Sequence, residues 1–362
     1  MFHGSYRRHD VEFLLKPVQV EYISDLARKE ALIQSGERHY SEMLSPEPLP
    51  SQWYIDFFRT AHVANRDRLA RDCLQLAAML HRHHGDDVTI VSLARAGTPI
   101  GVIARHLIEQ IFAGRPSHYS LSIIRDRGID EVALAEILSR GHSAESIAFV
   151  DGWTGKGVIG RELESSVGLF NERKGLNIDA GLYVLTDLAG AAAHTASGED
   201  YLISSSILNG IISGLVSRSI LNDDIGPNDF HGCVFLDQFI AHDLSRWYVD
   251  DVVATGLAIH GRDGCPANHV SPRAERAAVS RAYMTQAMDR YGIDDQNLIK
   301  PGIGEATRVL LRRTPERVIV RNPREPDVRH LVTLAAEKAV PVDIDPDLPY
   351  HTVSIIRSAR HA

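Results

Sequence analysis

The stretch IAFVDGWTGKGVIG, Ile147 to Gly160, decides the fold. Four mostly apolar residues run into Asp151, a glycine-spaced loop follows, and Val158 opens a helical pattern. A short apolar run ending in an acid suits a strand buried on both faces of a parallel sheet, and the glycines let the chain turn tightly into a helix. The same order recurs on either side. Upstream, RDRLARDCLQLAAMLHRHHG places Leu69, Cys73, Leu76, Ala77 and Leu80 at helical spacing before the strand VTIVSLA. PIGVIARHLIEQIF then reads as helix, YSLSII as strand and EVALAEILSRG as helix. Downstream, VIGRELESSVGLFNE reads as helix, GLYVLTDLA and GCVFLDQF as strands, and HDLSRWYVDDVVATGLAIHG as helix. Strands separated by helices of about 10 to 15 residues make βαβ units, which predicts an α/β fold with a mainly parallel sheet flanked by helices.

A chain of 362 residues exceeds the roughly 250 to 300 at which single cores stop growing. GRDGCPANHVSPR, rich in turn formers, reads as a linker and puts a boundary near residue 270. Three units are expected: an extension over 1–60 packing on the core, the α/β core over 61–265, and a smaller three-layer α/β unit over 273–362. In the last, RAERAAVSRAYMTQAMDRYG, GEATRVLLRR, RVIVR, VRHLVTLAAEKA, VPVDI and HTVSII resume the alternation.

The net charge of −8 is uneven. From Ser271 onward 15 Lys and Arg meet 12 Asp and Glu, so this part carries +3 and the preceding part −11. Cys73, Cys233 and Cys265 form no CxxC pair, which argues against a disulfide framework or structural zinc and for a cytoplasmic location. The N-terminus lacks an uninterrupted apolar run, and Asn209, Ser213, Ser217 and Arg218 break the most apolar segment. Neither a signal peptide nor a membrane span is expected.

In parallel sheets, ligands gather where strand ends meet helix starts. Thr154, Gly155, Lys156 and Gly157 offer a hydroxyl, close backbone approach and a point charge to a phosphate, with Asp151 placed for ribose hydroxyls or magnesium-bound water. The same loop also reads as a plain strand-to-helix turn. No Walker A pattern is present. A second loop, RAGTPIG, places Arg95, Ala96, Gly97 and Thr98 before a helix opened by Pro99. Two such loops suit a ligand with two separated phosphates, such as phosphoribosyl pyrophosphate.

VSLARAGTPIG and IAFVDGWTGKG together resemble the pyrophosphate and 5-phosphate loops of the phosphoribosyltransferases. With SGERHYSEMLSPEPLPS, SSSILNGIISGLVSRSIL and HDLSRWYVDD, the chain from about residue 25 is similar to the phosphoribosyltransferase-like proteins of tellurite-resistance and stress gene clusters. These are also labelled the StiP cysteine protease family and often end in a Pelota-type RNA-binding domain. The resemblance implies a phosphoribosyltransferase-like core and a cytoplasmic transferase using phosphoribosyl pyrophosphate, with magnesium as the donor's companion and an unidentified acceptor. Asp151 would hold the ribose, Arg95 would neutralise pyrophosphate, and Ala96, Gly97, Thr98 and Thr154 to Gly157 would cradle phosphates. Arg125 and Arg127, in SIIRDRGID, would close over the leaving group, or form a solvated turn. No residue is assigned as a direct metal ligand. Gly152 stands where a second acid is usual, which supports an alternative: a non-catalytic nucleotide-sensing and RNA-binding module.

A third reading is a cysteine protease. Cys233 has His231 two residues before it on a strand pattern, hence on the same face, and buried cysteine is equally at home in a core. Trp153 is placed to stack on a base or to pack as a lid. Read as a helix, SSSILNGIISGLVSRS puts Ser206, Asn209, Ser213 and Ser217 on one polar stripe beside Arg218, a candidate substrate wall. The histidines of HRHHGDD invite a metal reading or simply complement a helix C-terminus. The C-terminal unit resembles the Pelota and ribosomal kink-turn-binding fold: Gly302 and Glu305 match its helix-start motif, Arg308 replaces a lysine and Gly304 an asparagine. Eight Lys and Arg against four Asp and Glu between Lys300 and His330 favour a polyanion, and RNA is the partner implied.

Overall fold

The computed structural model describes residues 1–25, 28–29, 32–33, 35–267 and 270–357. Residues 268–269 of the expected linker and 358–362 of the expected C-terminal unit lie outside them. In chain order the first elements are β1 (Glu12–Leu14), β2 (Lys16–Pro17), α1 (Gln52–His84), β3 (Thr89–Ala94), α2 (Thr98–Phe112), β4 (Ser117–Ile124), β5 (Gly128–Ile129) and α3 (Glu131–Ser139). Then come β6 (Ile147–Thr154), α4 (Val158–Lys174), β7 (Leu182–Asp187), β8 (His194–Ser197), β9 (Gly232–Cys233) and α5 (Ser245–Asp263). The main sheet runs β1-β4-β3-β6-β7-β8, with every pair on that path parallel and β5 adding antiparallel to β4.

Alternation along its central strands explains the two covered faces. Ile90, Ala148, Val150, Tyr183 and Leu185 point into one core with α1, α2 and α5. Val91, Leu93, Phe149, Leu182 and Val184 point into another with Leu134 and Ile137 of α3 and Leu163, Val167 and Phe170 of α4. At about 25 cal/mol per Å² of apolar surface removed from water, these two layers supply the main driving force for the core. Among the described residues no helix is long and apolar enough to cross a membrane.

The smaller sheet runs β10-β13-β11-β12 and is built from α6 (Arg273–Tyr291), β10 (Ile299–Pro301), α7 (Ile303–Arg312), β11 (Pro315–Val320), α8 (Arg329–Glu337), β12 (Val342–Ile344) and β13 (Thr352–Ile356). Tyr283, Met284 and Ala287 of α6 cover one face. Ile303, Ala306 and Leu310 of α7 and Leu331 of α8 cover the other, and they merge with the core of the larger sheet.

Three sequence expectations change. Strand β6 extends through Gly152 to Thr154, with Trp153 and Thr154 paired to Thr186 and Asp187 of β7, so both residues sit in the sheet rather than in a loop. SSSILNGIISGLVSRS is not a helix: it forms short 3-10 turns at Ser204–Ser206 and Gly210–Ile212. Gly214 at φ +83° and Leu215 at φ 56° turn the chain into the left-handed region, which breaks any regular stripe. GCVFLDQF contributes only the two residues of β9, which pairs with β2.

The two sheets are joined by charge as well as by apolar contact. Asp187, fully buried at the end of β7, accepts backbone N–H bonds from Ala189, Ala191 and Ala192 at 3.0, 3.1 and 3.0 Å and meets Arg276 of α6 at 3.3 Å. Asp187→Ala leaves two buried and one part-buried N–H donors unpaired and removes the carboxylate facing Arg276; we expect a loss of about 2 to 4 kcal/mol in urea unfolding. Asp187→Asn, which keeps an acceptor, should lose less.

Candidate functional site

Where β6 meets α4, a cavity of about 300 Å³ opens between the two units. Ala96, Asp151 and Thr154 to Gly157 line it from the larger sheet, and Lys300, Glu305 and Arg308 from the smaller one. Gly157 has φ +71°, and a Cβ there would lie 2.6 Å from the Ala191 Cβ, so the strand-to-helix turn admits only glycine. Trp153 donates from Nε1 to Glu305 Oε1 at 3.2 Å, and the Arg308 guanidinium lies 5.6 Å from the Trp153 ring centroid. The Lys156 ammonium donates to the Gln296 carbonyl.

Burial moves Asp151, Lys156 and Lys300 of this cleft toward their neutral forms, and Glu305 is the exception. Burial, opposed by the Gly152 N–H and the Arg308 cation, pushes the Asp151 carboxyl up to about 7. Burial and the neighbouring Lys300 bring the Lys156 ammonium down to about 8. Burial likewise lowers Lys300, with Glu305 opposing the shift. Glu305 itself stays below the ordinary glutamate value, because Arg308, Trp153 and Lys300 outweigh the effect of burial. The cleft thus sets a carboxyl raised by burial among crowded cations, an arrangement suited to polar groups.

The loop after Ala94 only partly joins this cleft. Ala96 lines it, whereas Arg95 turns away to pair with Glu47 Oε1 at 2.6 Å and to donate to the Val216 carbonyl at 2.7 Å. Gly97 packs on β6, where a Cβ would meet the Val150 carbonyl oxygen at 2.4 Å. Thr98 is buried with its hydroxyl 2.8 Å from Ser120 Oγ. Arg125 reaches the rim, and Arg127 instead pairs with Glu42 at 2.9 Å. Ser213 is buried and donates to the Asn209 carbonyl at 3.0 Å, and Arg218 binds the Met43 carbonyl and stacks over Tyr40, so neither forms the wall expected of a helical stripe. The HRHHGDD histidines are engaged locally: His81 with Asp86 at 2.9 Å, His83 with Tyr183 at 2.7 Å and His84 with the Glu145 carbonyl at 2.9 Å.

The helix start assigned to RNA faces the larger sheet. Asp200 Oδ1 accepts the Ile303 N–H at 2.7 Å and Oδ2 the His351 N–H at 3.0 Å, so the carboxylate caps α7. A Cβ on Gly302 would lie 2.7 Å from Leu188 Cδ1, and Gly304 lines a small crevice with Trp153 and Asp200. Sequence reasoning missed Lys300 and Asp200 in these roles. Each acts across a contact between segments more than 100 residues apart, a spacing that no local pattern encodes.

The thiols differ sharply in access. Cys73 and Cys233 are both fully buried, and Cys265 is exposed. Burial pushes the Cys233 thiol up to about 12. His231 Nδ1 lies 2.8 Å from Ser122 Oγ, and its backbone N–H donates to Asp130, the buried acid that also caps α3 at Ala133 with a 2.9 Å bond. Burial lowers the His231 imidazole and Asp130 opposes the shift. No hydrogen bond joins Cys233 to a histidine among the described residues. Elsewhere Ser204, His62 and Asp251 form a chain with bonds of 3.0 and 2.8 Å, with Ser204 and His62 buried.

Comparison with known proteins separates the readings. A family model described as tellurite-like stress resistance cysteine protease StiP matches residues 4–253, and a PELOTA RNA binding domain model matches residues 278–358. A protein of Acinetobacter baylyi named cysteine protease StiP is 38% identical over 368 residues, covering 98% of this chain and 94% of that protein. Both names specify a cysteine protease, which overturns the expectation of a transferase using phosphoribosyl pyrophosphate. The magnesium expectation rests on the same donor. Two glycine-bearing turns after parallel strands suggested phosphate cradles, yet any tight β-to-α connection needs such turns. The chain belongs to the family of StiP, the tellurite-like stress resistance cysteine proteases.

Proposed function

We propose that this chain hydrolyses peptide bonds with Cys233 as nucleophile and His231 as its base. One observation carries the choice of residue. The family match spans residues 4–253, which leaves out Cys265, and of the two cysteines inside it Cys233 alone has a histidine two residues away whose ring is held by a hydroxyl and flanked by an acid. In the proposed step His231 takes the Cys233 proton, the thiolate attacks the scissile carbonyl, and the departing amine receives that proton. Water then hydrolyses the thioester and restores the thiol.

The described conformation is the resting one in this scheme. Segment 216–220 lies over β9 through the Ile220–Gly232 bridge and through the Ser217 hydroxyl, which accepts the Val234 N–H at 2.9 Å. Reaction requires that segment to lift and His231 to exchange Ser122 for the thiol. The protein has to expose the thiol and swing the His231 ring from Ser122 onto it.

For the C-terminal unit we infer RNA binding, favoured by the match at residues 278–358 and by the surplus of Lys and Arg between Lys300 and His330. Because Trp153 and Asp200 hold the start of α7, RNA that uses Glu305 or Arg308 competes with that contact.

In a fluorogenic peptide or casein assay, Cys233→Ala should lower the rate at least about 100-fold, the scale of removing a nucleophile, while Cys265→Ala stays near wild type. Wild-type turnover by the Cys233→Ala protein rejects the assignment. For RNA, fluorescence anisotropy with a structured hairpin should show affinity falling steeply as salt rises, and Trp153→Ala should tighten binding by uncovering the helix start. Absence of salt-sensitive binding in both proteins removes the RNA reading.

A further inference from the structure

A second cluster of chemistry-bearing side chains lies away from the cleft, where the N-terminal segment crosses α2. His9 Nε2 lies 3.3 Å from Asp10 Oδ1, and His106 Nε2, from α2, lies 2.9 Å from the same oxygen. All three donor atoms fall within 4.8 Å of one another. A tetrahedral cation with bonds of about 2.0 to 2.2 Å sets its donors roughly 3.3 to 3.6 Å apart; binding one replaces the 2.9 Å hydrogen bond between His106 and Asp10 and draws the widest pair, now within 4.8 Å, toward that spacing.

The surroundings are those of a ligand set as well. The Asp10 side chain is fully buried, its Oδ2 is fixed by the Arg7 N–H at 2.9 Å, and its backbone carbonyl is fixed by His118 Nδ1 at 2.8 Å. Behind His106, Glu109 Oε2 stands 4.0 Å from Nδ1, too far for a hydrogen bond but within a short side-chain movement of one, while its Oε1 is held by Arg105 at 2.7 Å. The nearby Arg7 guanidinium is 3.7 Å from Asp10 but directs both terminal nitrogens to Asp250 at 2.8 and 2.6 Å, which offsets its charge. The His9 side chain is 59% exposed, which gives solvent one side of the cluster.

We propose that His9, Asp10 and His106 bind a divalent cation of the zinc class, with water at a fourth position on the exposed side. Two imidazoles and one carboxylate suit Zn²⁺ and Co²⁺ better than the all-oxygen cations Ca²⁺ and Mg²⁺. The ion ties residues 9–10 to a helix 96 positions away in the chain. It thereby anchors the segment that continues through β1 into β2, whose residues Lys16 and Pro17 pair with Gly232 and Cys233. Held at both ends, that segment keeps the Cys233 strand in register.

The test is Co²⁺ titration followed by visible absorption, with ZnCl₂ calorimetry on the full chain. One ion per chain should bind, with the intense visible bands of a four-coordinate site. His9→Ala and His106→Ala should each weaken binding at least 10-fold, while a triple His81, His83 and His84 to Ala variant binds as wild type. Zn²⁺ should raise the melting temperature and a chelator reverse it. His9→Ala carries the test if His106→Ala fails to fold, because His9 is solvent-facing. No saturable binding, or binding that survives in His9→Ala and disappears in the triple variant, overturns the proposal.

Discussion

Burial of the central sheet on both faces is the constraint from which the rest follows. Strands β3, β6 and β7 are apolar along nearly their whole length because helices lie above and below them, so their interiors have no room for ionisable groups. Polar chemistry is driven to the strand ends. Asp187 sits there, satisfied by three backbone N–H groups of the turn it starts, and Asp151 lies three residues before the end of β6 with the Gly152 N–H on its carboxylate. The turns are tight because the helices must return immediately to cover the sheet, and Gly157 is the residue that makes the α4 turn possible. A glycine-rich strand-end loop is thus a demand of the architecture before it is a sign of any ligand.

The second unit uses the same edge. The helix start of α7 has no side-chain cap of its own, and its first N–H finds Asp200 of the larger unit. A buried carboxylate is costly unless several donors meet it, and two backbone N–H groups from the smaller unit do so here. Burial, offset by those bonds, brings Asp200 up to about 6. Trp153 and Glu305 add a hydrogen bond beside it, with Arg308 near the Trp153 ring. Charged and polar groups therefore fix the orientation of the two units, while apolar contact from Ile303, Ala306 and Leu310 supplies the adhesion.

Periodicity made the α/β architecture legible, because a 3.6-residue stripe in α1 or an apolar run in β6 is imposed locally by what lies on each face. The same signal failed over Ser204 to Ser217. That segment is apolar with spaced serines, like a helix, but it is buried as irregular chain, and Gly210 and Gly214 carry the turns. Trp153 was misplaced for a related reason. Glycine at 152 looks like the end of a strand, yet β7 continues to pair with the chain beyond it. At the sites the limits were sharper. Arg95 looks free in sequence and is paired with Glu47, and His106 looks like an ordinary helix residue until Asp10 is brought against it. Spacing of 48 or 96 residues carries no local trace, so only the folded chain identifies these partners.

Under the proposed assignment, the buried Cys233 thiol sets the terms for catalysis. With burial pushing it up to about 12, the thiol is almost wholly protonated at neutral pH, a large deficit against an ionised nucleophile. Neither Asp130 nor Ser122 removes that deficit, since both act on His231 and leave the sulfur in apolar surroundings. Solvent or an imidazolium beside the sulfur would remove much of it, and the proposed scheme supplies them by opening the bridge between Ile220 and Gly232 and moving the His231 ring. The opposing restraint is the short parallel pairing of β2 with β9, reinforced by the bond from the Val18 N–H to the Cys233 carbonyl at 2.8 Å. Two residues of ladder form a weak clasp compared with the six-residue register that joins β3 to β4. In the proposed scheme this short ladder and the bonds from Ser217 and Ile220 on the other side of β9 must open to free the thiol, and the register of the central sheet need not change.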